Sequence, residues 1–455
     1  MVGTLIVPEV LGCAAVLPAM ASGVSYIRSD RDRRAALRLA WRVRATWKKT
    51  AMRVGLYQTD HASKVGSAVP LDGEYRSKAE RPRTLIPAIK VRADRFGLTI
   101  EVKTIGKIGL AEWQGAAEYL AHAWRVHQVQ VLPLKPGRLI VRALLLDPLT
   151  EPWTLKPDLS PKSVDLKSWA IGRDANAEPV TIRSSGVSGM ALAGLAGFGK
   201  SSLIASRFCQ LAPSPAVQFV FLDGKGGPDY DDLAPRAWLF GKDDREHAIG
   251  IMRQVHQLLL ARQAGIKQIL GVKNMWHVGP SAQWPLVVVV IDEAHTFFYA
   301  PKATSGDKAS QKAVADAAEF TRLVEEVVRK GRNVGLQVLL ATQKATGDAI
   351  PTQIRDNCQV AISYAQRTSE ATVAILGADI SEYPHAHPRR LQDAAYIGVA
   401  SMVAEGRPGF TLVRTPYVSD EDSAAMADAT ADLVADPLEL IRSQLGGPHL
   451  LGDVA

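Results

Sequence analysis

The stretch Gly194-Leu195-Ala196-Gly197-Phe198-Gly199-Lys200-Ser201 decides how the rest of this 455-residue chain is interpreted. Its two glycines, separated by four residues and followed by Lys and Ser, fit the phosphate-binding P-loop pattern. The apolar residues 190–193 indicate the end of a buried strand, and apolar spacing over 202–211 predicts a helix. Glycines let backbone N–H groups approach a phosphate without an intervening Cβ. The sequence therefore predicts a nucleotide-binding loop between a strand and a helix.

The side chains of this loop are expected to bind ATP and Mg²⁺. Lys200 should reach the β- and γ-phosphates, and Ser201 should hold Mg²⁺. The predicted nucleotide-binding residues are Gly194, Leu195, Ala196, Gly197, Phe198, Gly199, Lys200, Ser201 and Ser202.

A second motif is Leu286 followed by the β-branched residues 287–291, and this run ends in Asp292 and Glu293. Such a run predicts a central parallel strand, and ligands bind at the carboxyl ends of these strands. Asp292 is expected to bind Mg²⁺, directly or through water, and Glu293 to act as general base on the attacking water. A further strand over 335–343 ends at Gln343, which either senses the γ-phosphate, orients the water or only forms a turn.

Alternating strands and helices beyond residue 163 predict an α/β fold with a mostly parallel central sheet. Shorter strand and helix patterns between residues 98 and 144 predict a small α/β domain before it. We predict a possible membrane segment with a basic amphipathic helix (1–57), a linker (58–83), the small α/β domain (84–160), a P-loop ATPase motor (161–418) and an acidic, Ala-rich tail (419–455).

The N-terminal region predicts a location at the cell membrane, with a cytoplasmic location as the alternative. Residues 4–27 are largely apolar and just long enough to span a bilayer, although Glu9 interrupts them. The basic residues of 28–53 would keep that flank in the cytoplasm. A membrane anchor, a peripheral or soluble cytoplasmic chain and a secretory signal are the alternatives. The basic segment itself lies either on a membrane surface or against the next domain.

Charge and cysteine content narrow the class of partner and the compartment. The net charge of +8 favours a polyanion such as DNA or an anionic lipid. The three cysteines, Cys13, Cys209 and Cys358, have neither disulfide-framework nor zinc-site spacing, which fits a reducing cytoplasm.

The order of motifs resembles the FtsK/SpoIIIE family of double-stranded DNA translocases. The overall plan is similar to the actinobacterial plasmid-transfer members of that family, the Streptomyces-type Tra proteins, which move double-stranded plasmid DNA between cells. The matching segments are 193–202, Asp-Gly-Lys-Gly-Gly at 223–227, Val-Ile-Asp-Glu at 290–293, 329–335, Leu-Ala-Thr-Gln at 340–343 and 350–357.

This resemblance implies a RecA-like P-loop ATPase that translocates double-stranded DNA for conjugative transfer of a plasmid or integrative element. It implies a homohexameric ring, associated with the membrane through its N-terminus and with the ATPase on the cytoplasmic side. ATP would lie at subunit interfaces, where a neighbour's arginine completes each site. By position, Arg332 is the candidate and Arg329 the second choice; a solvated basic helix end is the alternative for both.

Three lysines in loops near the predicted site, Lys302, Lys308 and Lys344, are candidates for contacting DNA phosphates, or are ordinary loop residues. Two other functions share the same motor: a type VII secretion-like ATPase that drives protein export, and a chromosome-partition translocase. Glu293 beside Asp292 argues for hydrolysis and against a nucleotide switch.

Overall fold

The computed structural model describes residues 29–60, 83–160, 163–300, 302–343, 346 and 349–445. The chain divides into two compact units, residues 1–148 and 149–455. The apolar run 4–27, most of the expected linker, Lys344 and the last ten residues lie outside the described residues.

The first unit is a four-stranded antiparallel sheet, in the order β3-β4-β6-β5, covered by helices. Strands β1 and β2 form a separate antiparallel pair. The elements are α1 (Arg31–Arg53), β1 (Gln58–Asp60), β2 (Arg83–Leu85), β3 (Ala88–Ala93), β4 (Gly97–Lys103), α2 (Leu110–Gly115), α3 (Ala117–Trp124), β5 (Gln128–Lys135) and β6 (Arg138–Leu144).

The basic segment forms helix α1, and its apolar face belongs to the core of this unit. The Trp47 ring stacks on Trp113 with 5.4 Å between centroids, and its indole N–H donates to the Pro87 carbonyl at 2.8 Å. Leu39 and Val43 are buried on the same face. Of the two arrangements considered, the structure therefore shows the helix packed on the following domain. The apolar residues of α1 are spaced so that they lie on one face, and this face shares one core with the sheet. The helix therefore belongs to the small domain and does not form a separate segment 1–57.

Across the described ranges, no helix has the length and apolar character needed to cross a membrane.

The second unit contains ten strands in one sheet. Its elements are β7 (Ser168–Asp174), β8 (Pro179–Arg183), β9 (Gly189–Ala193), α4 (Lys200–Leu211), β10 (Val217–Asp223), β11 (Ala237–Lys242), α5 (Arg245–Leu270), β12 (Leu286–Asp292), α6 (His295–Phe298), α7 (Lys308–Lys330), β13 (Leu336–Thr342), α8 (Thr352–Arg355), β14 (Val360–Ser363), α9 (Ser369–Leu376), β15 (Val399–Ala404), β16 (Arg407–Arg414), α10 (Asp420–Ala429) and α11 (Pro437–Gln444).

The strand order is β11-β10-β12-β13-β9-β14-β15-β16-β7-β8. The first six strands are parallel and the last four run antiparallel to their neighbours. Every residue of β9, β10, β12 and β13 is buried, as expected for parallel strands covered on both faces. The mostly parallel α/β sheet predicted from the sequence is confirmed.

The boundaries of the second unit differ from those expected. Residues 149–160 belong to it, because Leu155 N–H donates to the Tyr417 carbonyl at 2.8 Å and Thr154 pairs with Tyr417. The expected acidic tail forms α10 and α11, which bury Met426 and Ile441 in the main core. Both helices therefore pack on the core of the second unit.

Candidate functional site

Glycine conformations shape the loop between β9 and α4. Gly194, Gly197 and Gly199 have φ angles of +153°, +76° and +110°, which L-residues with a side chain rarely adopt. A Cβ on Gly194 would lie 2.5 Å from Cβ of Tyr364, so the loop also needs glycine for space. The Leu195 N–H donates to the Ala365 carbonyl at 3.0 Å, which ties the loop to the end of β14. The local sequence thus produces a glycine-shaped loop between a strand and a helix, with the form of a phosphate cradle.

Lys200 lies at the first turn of α4 and is only 6% exposed. Its ammonium donates to the carbonyls of Gly194 at 2.7 Å and Leu195 at 3.1 Å. Burial lowers the pKa of Lys200, while the negative charges of Glu293 and Asp292 act in the opposite direction. The ammonium therefore lies across the loop, next to the two acidic residues that end β12.

Asp292 is 5% exposed and accepts two hydrogen bonds. The Glu293 N–H donates to its Oδ1 at 2.9 Å, and the Tyr230 hydroxyl donates to its Oδ2 at 3.0 Å. Burial raises the pKa of Tyr230, and the Ser201 side chain acts on the same hydroxyl in the opposite direction. Burial, and then the charge of Glu293, raise the pKa of Asp292. The structure thus brings the two predicted Mg²⁺ ligands, Ser201 and Asp292, to the same tyrosine.

Glu293 has the geometry of a held general base. Its Oε2 accepts the Gln343 N–H at 3.1 Å and lies 3.2 Å from Nδ1 of His295, while its Oε1 is buried without a hydrogen-bond partner among the described residues. Its φ angle is +45°, a backbone conformation that costs about 1–3 kcal/mol and recurs at active sites. One oxygen is therefore fixed, and the other has a lone pair for a water.

Gln343 contributes through its backbone as well as its side chain. Its N–H holds Glu293, and its side chain lines a cavity of about 740 Å³ together with Leu195 and Ala196 of the loop. The sequence predicted Gln343 at this site because the residue ends a central strand. His295 and Tyr230 were missed: His295 carried a weak signal in its spacing from Glu293, and Tyr230, in an irregular loop, carried none.

Ser202 and Arg332 lie away from this cluster. The Ser202 hydroxyl accepts the Val418 N–H at 3.0 Å, so it fastens α4 to the C-terminal segment. Arg332 precedes β13 and Gln343 follows it; since this strand has seven residues, its two ends are roughly 20 Å apart. Nη2 of Arg332 lies 3.5 Å from Oε1 of Glu405. The Arg332 side chain is 47% exposed, and, with the length of β13 between them, it does not reach the P-loop of the same chain.

A second cavity, of about 420 Å³, begins at the amino end of α4. It is lined by Gly199 and Ser202 and by exposed apolar side chains, including Ile397 and Tyr417. An apolar cavity next to a phosphate-binding loop has the character of a site for a planar base.

The residues present fit both Mg²⁺ and a nucleoside triphosphate. Mg²⁺ prefers oxygen ligands and keeps several waters. Ser201 and Asp292 supply oxygens, and Asp223, at the end of β10, has a buried Oδ2 without a hydrogen-bond partner in the described ranges. The polyphosphate would lie against Lys200 and the N–H groups of the loop.

Comparison with known proteins finds one matching family and several similar proteins. Residues 35–145 match the family described as Actinomycete conjugal transfer protein N-terminal domain. The DNA translocase FtsK of Haemophilus ducreyi is 22% identical over 279 aligned residues, and the match covers 57% of this chain and 28% of that protein. The chain thus matches less than a third of the length of this relative.

Two solved structures are also similar. The monomer form of the pCW3 conjugation coupling protein TcpA with ATPγS aligns with a TM-score of 0.51 and 16% identity, covering 76% of this chain and 93% of that one. The cytoplasmic domain of the type VII secretion ATPase EccC of Thermomonospora curvata has a TM-score of 0.45 and 18% identity, covering 64% and 33%. The likeness to TcpA confirms the fold class, and the family and FtsK matches confirm the resemblance to FtsK/SpoIIIE-type transfer proteins.

We predict that Glu293→Gln lowers ATP turnover by about 10²–10⁴-fold, the usual contribution of a general base, and leaves nucleotide binding intact. Turnover is measured at saturating ATP, and binding by calorimetry with ATPγS. Glu325→Gln on α7 makes the same chemical change outside the site and should retain wild-type turnover. Turnover within a few-fold of wild type in Glu293→Gln would show that Glu293 is not the base.

Proposed function

We propose that this chain, a relative of the FtsK/SpoIIIE-type transfer proteins, hydrolyses ATP to move double-stranded DNA during conjugative transfer of a plasmid or integrative element. The observation that carries the proposal is the juxtaposition of a P-loop with a buried glutamate, one oxygen of which has no hydrogen-bond partner in the described part of the chain. A site built only to hold a nucleotide does not need an activated water. Hydrolysis in turn provides the free energy for movement.

The residues of the site divide the chemistry among them. Lys200 and the N–H groups of the loop bind the polyphosphate, and Ser201 and Asp292 hold Mg²⁺, which neutralises charge on the phosphates when bound. Glu293 takes a proton from water at Oε1, while the Gln343 N–H at Oε2 keeps the carboxylate oriented. The base and ribose would occupy the cavity beside Gly199.

Double-stranded DNA is proposed as the substrate because of the relatives and the charge of the chain. The matched family is one of conjugal transfer proteins, and the relative FtsK is a DNA translocase. A translocase must bind any sequence, so its contacts should be to phosphates. Lys302 and Lys308 are exposed after β12, on the same side of the sheet as the P-loop, where they can contribute such contacts. Membrane association through residues 4–27 is part of the same proposal.

The proposed assembly is a homohexamer in which Arg332 acts on the site of a neighbour. Arg332 is remote from the P-loop of its own chain and exposed, as a residue acting between subunits must be. Arg332 lines a cavity of about 410 Å³ together with Arg183 and Arg407. The positive charge at this cavity therefore comes from more than one side chain.

The proposed function is tested by ATP turnover of the full chain without DNA, with single-stranded DNA and with duplex DNA. We predict that duplex DNA raises turnover and that Lys200→Ala abolishes it in all three conditions, since the variant lacks the phosphate-binding ammonium. The triple variant Lys302→Ala/Lys308→Ala/Lys344→Ala should show a weaker dependence of stimulation on salt. In a plot of the logarithm of stimulation against the logarithm of the salt concentration, the slope should become shallower by about 0.9 for every DNA phosphate that the variant no longer neutralises.

Lys267→Ala/Lys273→Ala, which removes exposed lysines near the end of α5, is the control and should behave as wild type. Turnover that duplex DNA leaves unchanged would contradict the proposed substrate and favour protein export instead.

The role of Arg332 is tested by mixing subunits. Arg332→Ala subunits, added to wild type at a fixed total concentration, should lower turnover more steeply than in proportion to their fraction, because each variant subunit disables a neighbour's site. Arg322→Ala on α7 is the matched control. A linear decrease, or full activity of Arg332→Ala alone, would exclude the role.

A further inference from the structure

We propose that the Tyr230 hydroxyl and the Asp223 carboxylate position the magnesium-binding groups: Tyr230 orients Ser201 and Asp292, and Asp223 receives a water bound to the ion. Neither residue is a direct ligand in this arrangement. The inference rests on the proposed function, because it concerns the same nucleotide site.

Tyr230 is held rigidly between the two ligands. It is 2% exposed, and its ring stacks on Phe221 of β10 with 5.8 Å between centroids. Its hydroxyl donates to Oδ2 of Asp292 at 3.0 Å, and the Ser201 side chain acts on the same hydroxyl. A phenol has one proton, and Tyr230 gives it to Asp292, so towards Ser201 the Tyr230 oxygen can only accept.

This direction of donation prepares Ser201 for a cation. A serine hydroxyl has one proton and two lone pairs, so donating to Tyr230 leaves both lone pairs for the ion. Each carboxylate oxygen of Asp292 accepts one protein hydrogen bond and keeps capacity for a second interaction. The hydroxyl of Tyr230 thus sets the orientation of two groups that come from different elements, α4 and β12.

Asp223 provides the second half of the arrangement. It ends β10 in direct register with Asp292 at the end of β12, and it is 1% exposed. Its Oδ1 accepts the Lys225 N–H at 2.9 Å, but its Oδ2 has no partner within the described ranges. A buried carboxylate oxygen without a donor is unfavourable, because it has lost its hydrogen bonds to water. Water bound to a divalent cation at Asp292 supplies the missing donor.

Asp223 also interacts electrostatically with Asp292. The carboxylates of Asp223 and Asp292 end neighbouring strands in register, so their negative charges repel each other. A divalent cation between Asp292 and Ser201 relieves this repulsion.

The test is equilibrium binding of ATPγS to the full chain by calorimetry, with Mg²⁺ and with EDTA. The ratio of the two dissociation constants gives the gain in affinity due to Mg²⁺. Tyr230→Phe, which keeps the stacked ring, and Asp223→Asn, which keeps the shape, should each lower this gain by about 10-fold, as replacement of groups that orient metal ligands does. Their affinity for ATPγS in EDTA should equal that of wild type.

The controls are Tyr383→Phe, which removes a phenol hydroxyl elsewhere in the same unit, and Asp229→Asn, which removes a carboxylate paired with Lys225 in the same loop. Both should keep the wild-type gain. An unchanged gain in Tyr230→Phe and Asp223→Asn would overturn the inference, and so would an equal loss of affinity with Mg²⁺ and EDTA, which indicates a purely structural role. Absence of ATPγS binding by the wild type would instead overturn the proposed function together with the inference.

Discussion

The parallel register of four neighbouring strands is the constraint on which the candidate site depends. Thr342 lies opposite Ala193, and Asp223 lies opposite Asp292, so β9, β13, β12 and β10 all end at one edge of the sheet. Parallel strands expose their following loops on the same side, which brings segments that are far apart in the chain into contact. The hydrogen bond from Gln343 N–H to Glu293 is a direct product of this register. A slip in register would separate Glu293 from the P-loop.

The same geometry concentrates negative charge in a buried place. Asp223, Asp292 and Glu293 are each at most 5% exposed, and Lys200 is the buried cation next to the latter two. Burying unbalanced charge is costly unless it is neutralised or bound to a cation. The raised pKa values of Asp223 and Asp292 are the electrostatic sign of that cost. A divalent cation would compensate it, so nucleotide and cation binding should be strongly coupled at this site.

The sequence was sufficient for those parts of the fold and site that short segments encode. The P-loop glycines and the β-branched strand before Asp292 act locally, and their structures agree with the prediction. Tyr230 could not be found in this way, because its contacts with Ser201 and Asp292 join residues 29 and 62 positions away. The packing of α1 was left open between two arrangements, and that of the C-terminal helices was not predicted, for a similar reason: apolar spacing shows that a face is buried, but not which surface buries it. Arg332 remains a prediction, since its partner would be another subunit.

Movement along DNA is the central claim, and displacement of a third strand from duplex DNA measures it most directly. A labelled oligonucleotide is bound as a triplex at one end of a long duplex, and its release by the full chain is followed with ATP, with ATPγS and with the Glu293→Gln variant. The account predicts release only with ATP and wild-type protein, after a delay that grows with the length of the duplex. Stimulated hydrolysis without any release, or release that proceeds equally with ATPγS, would contradict it.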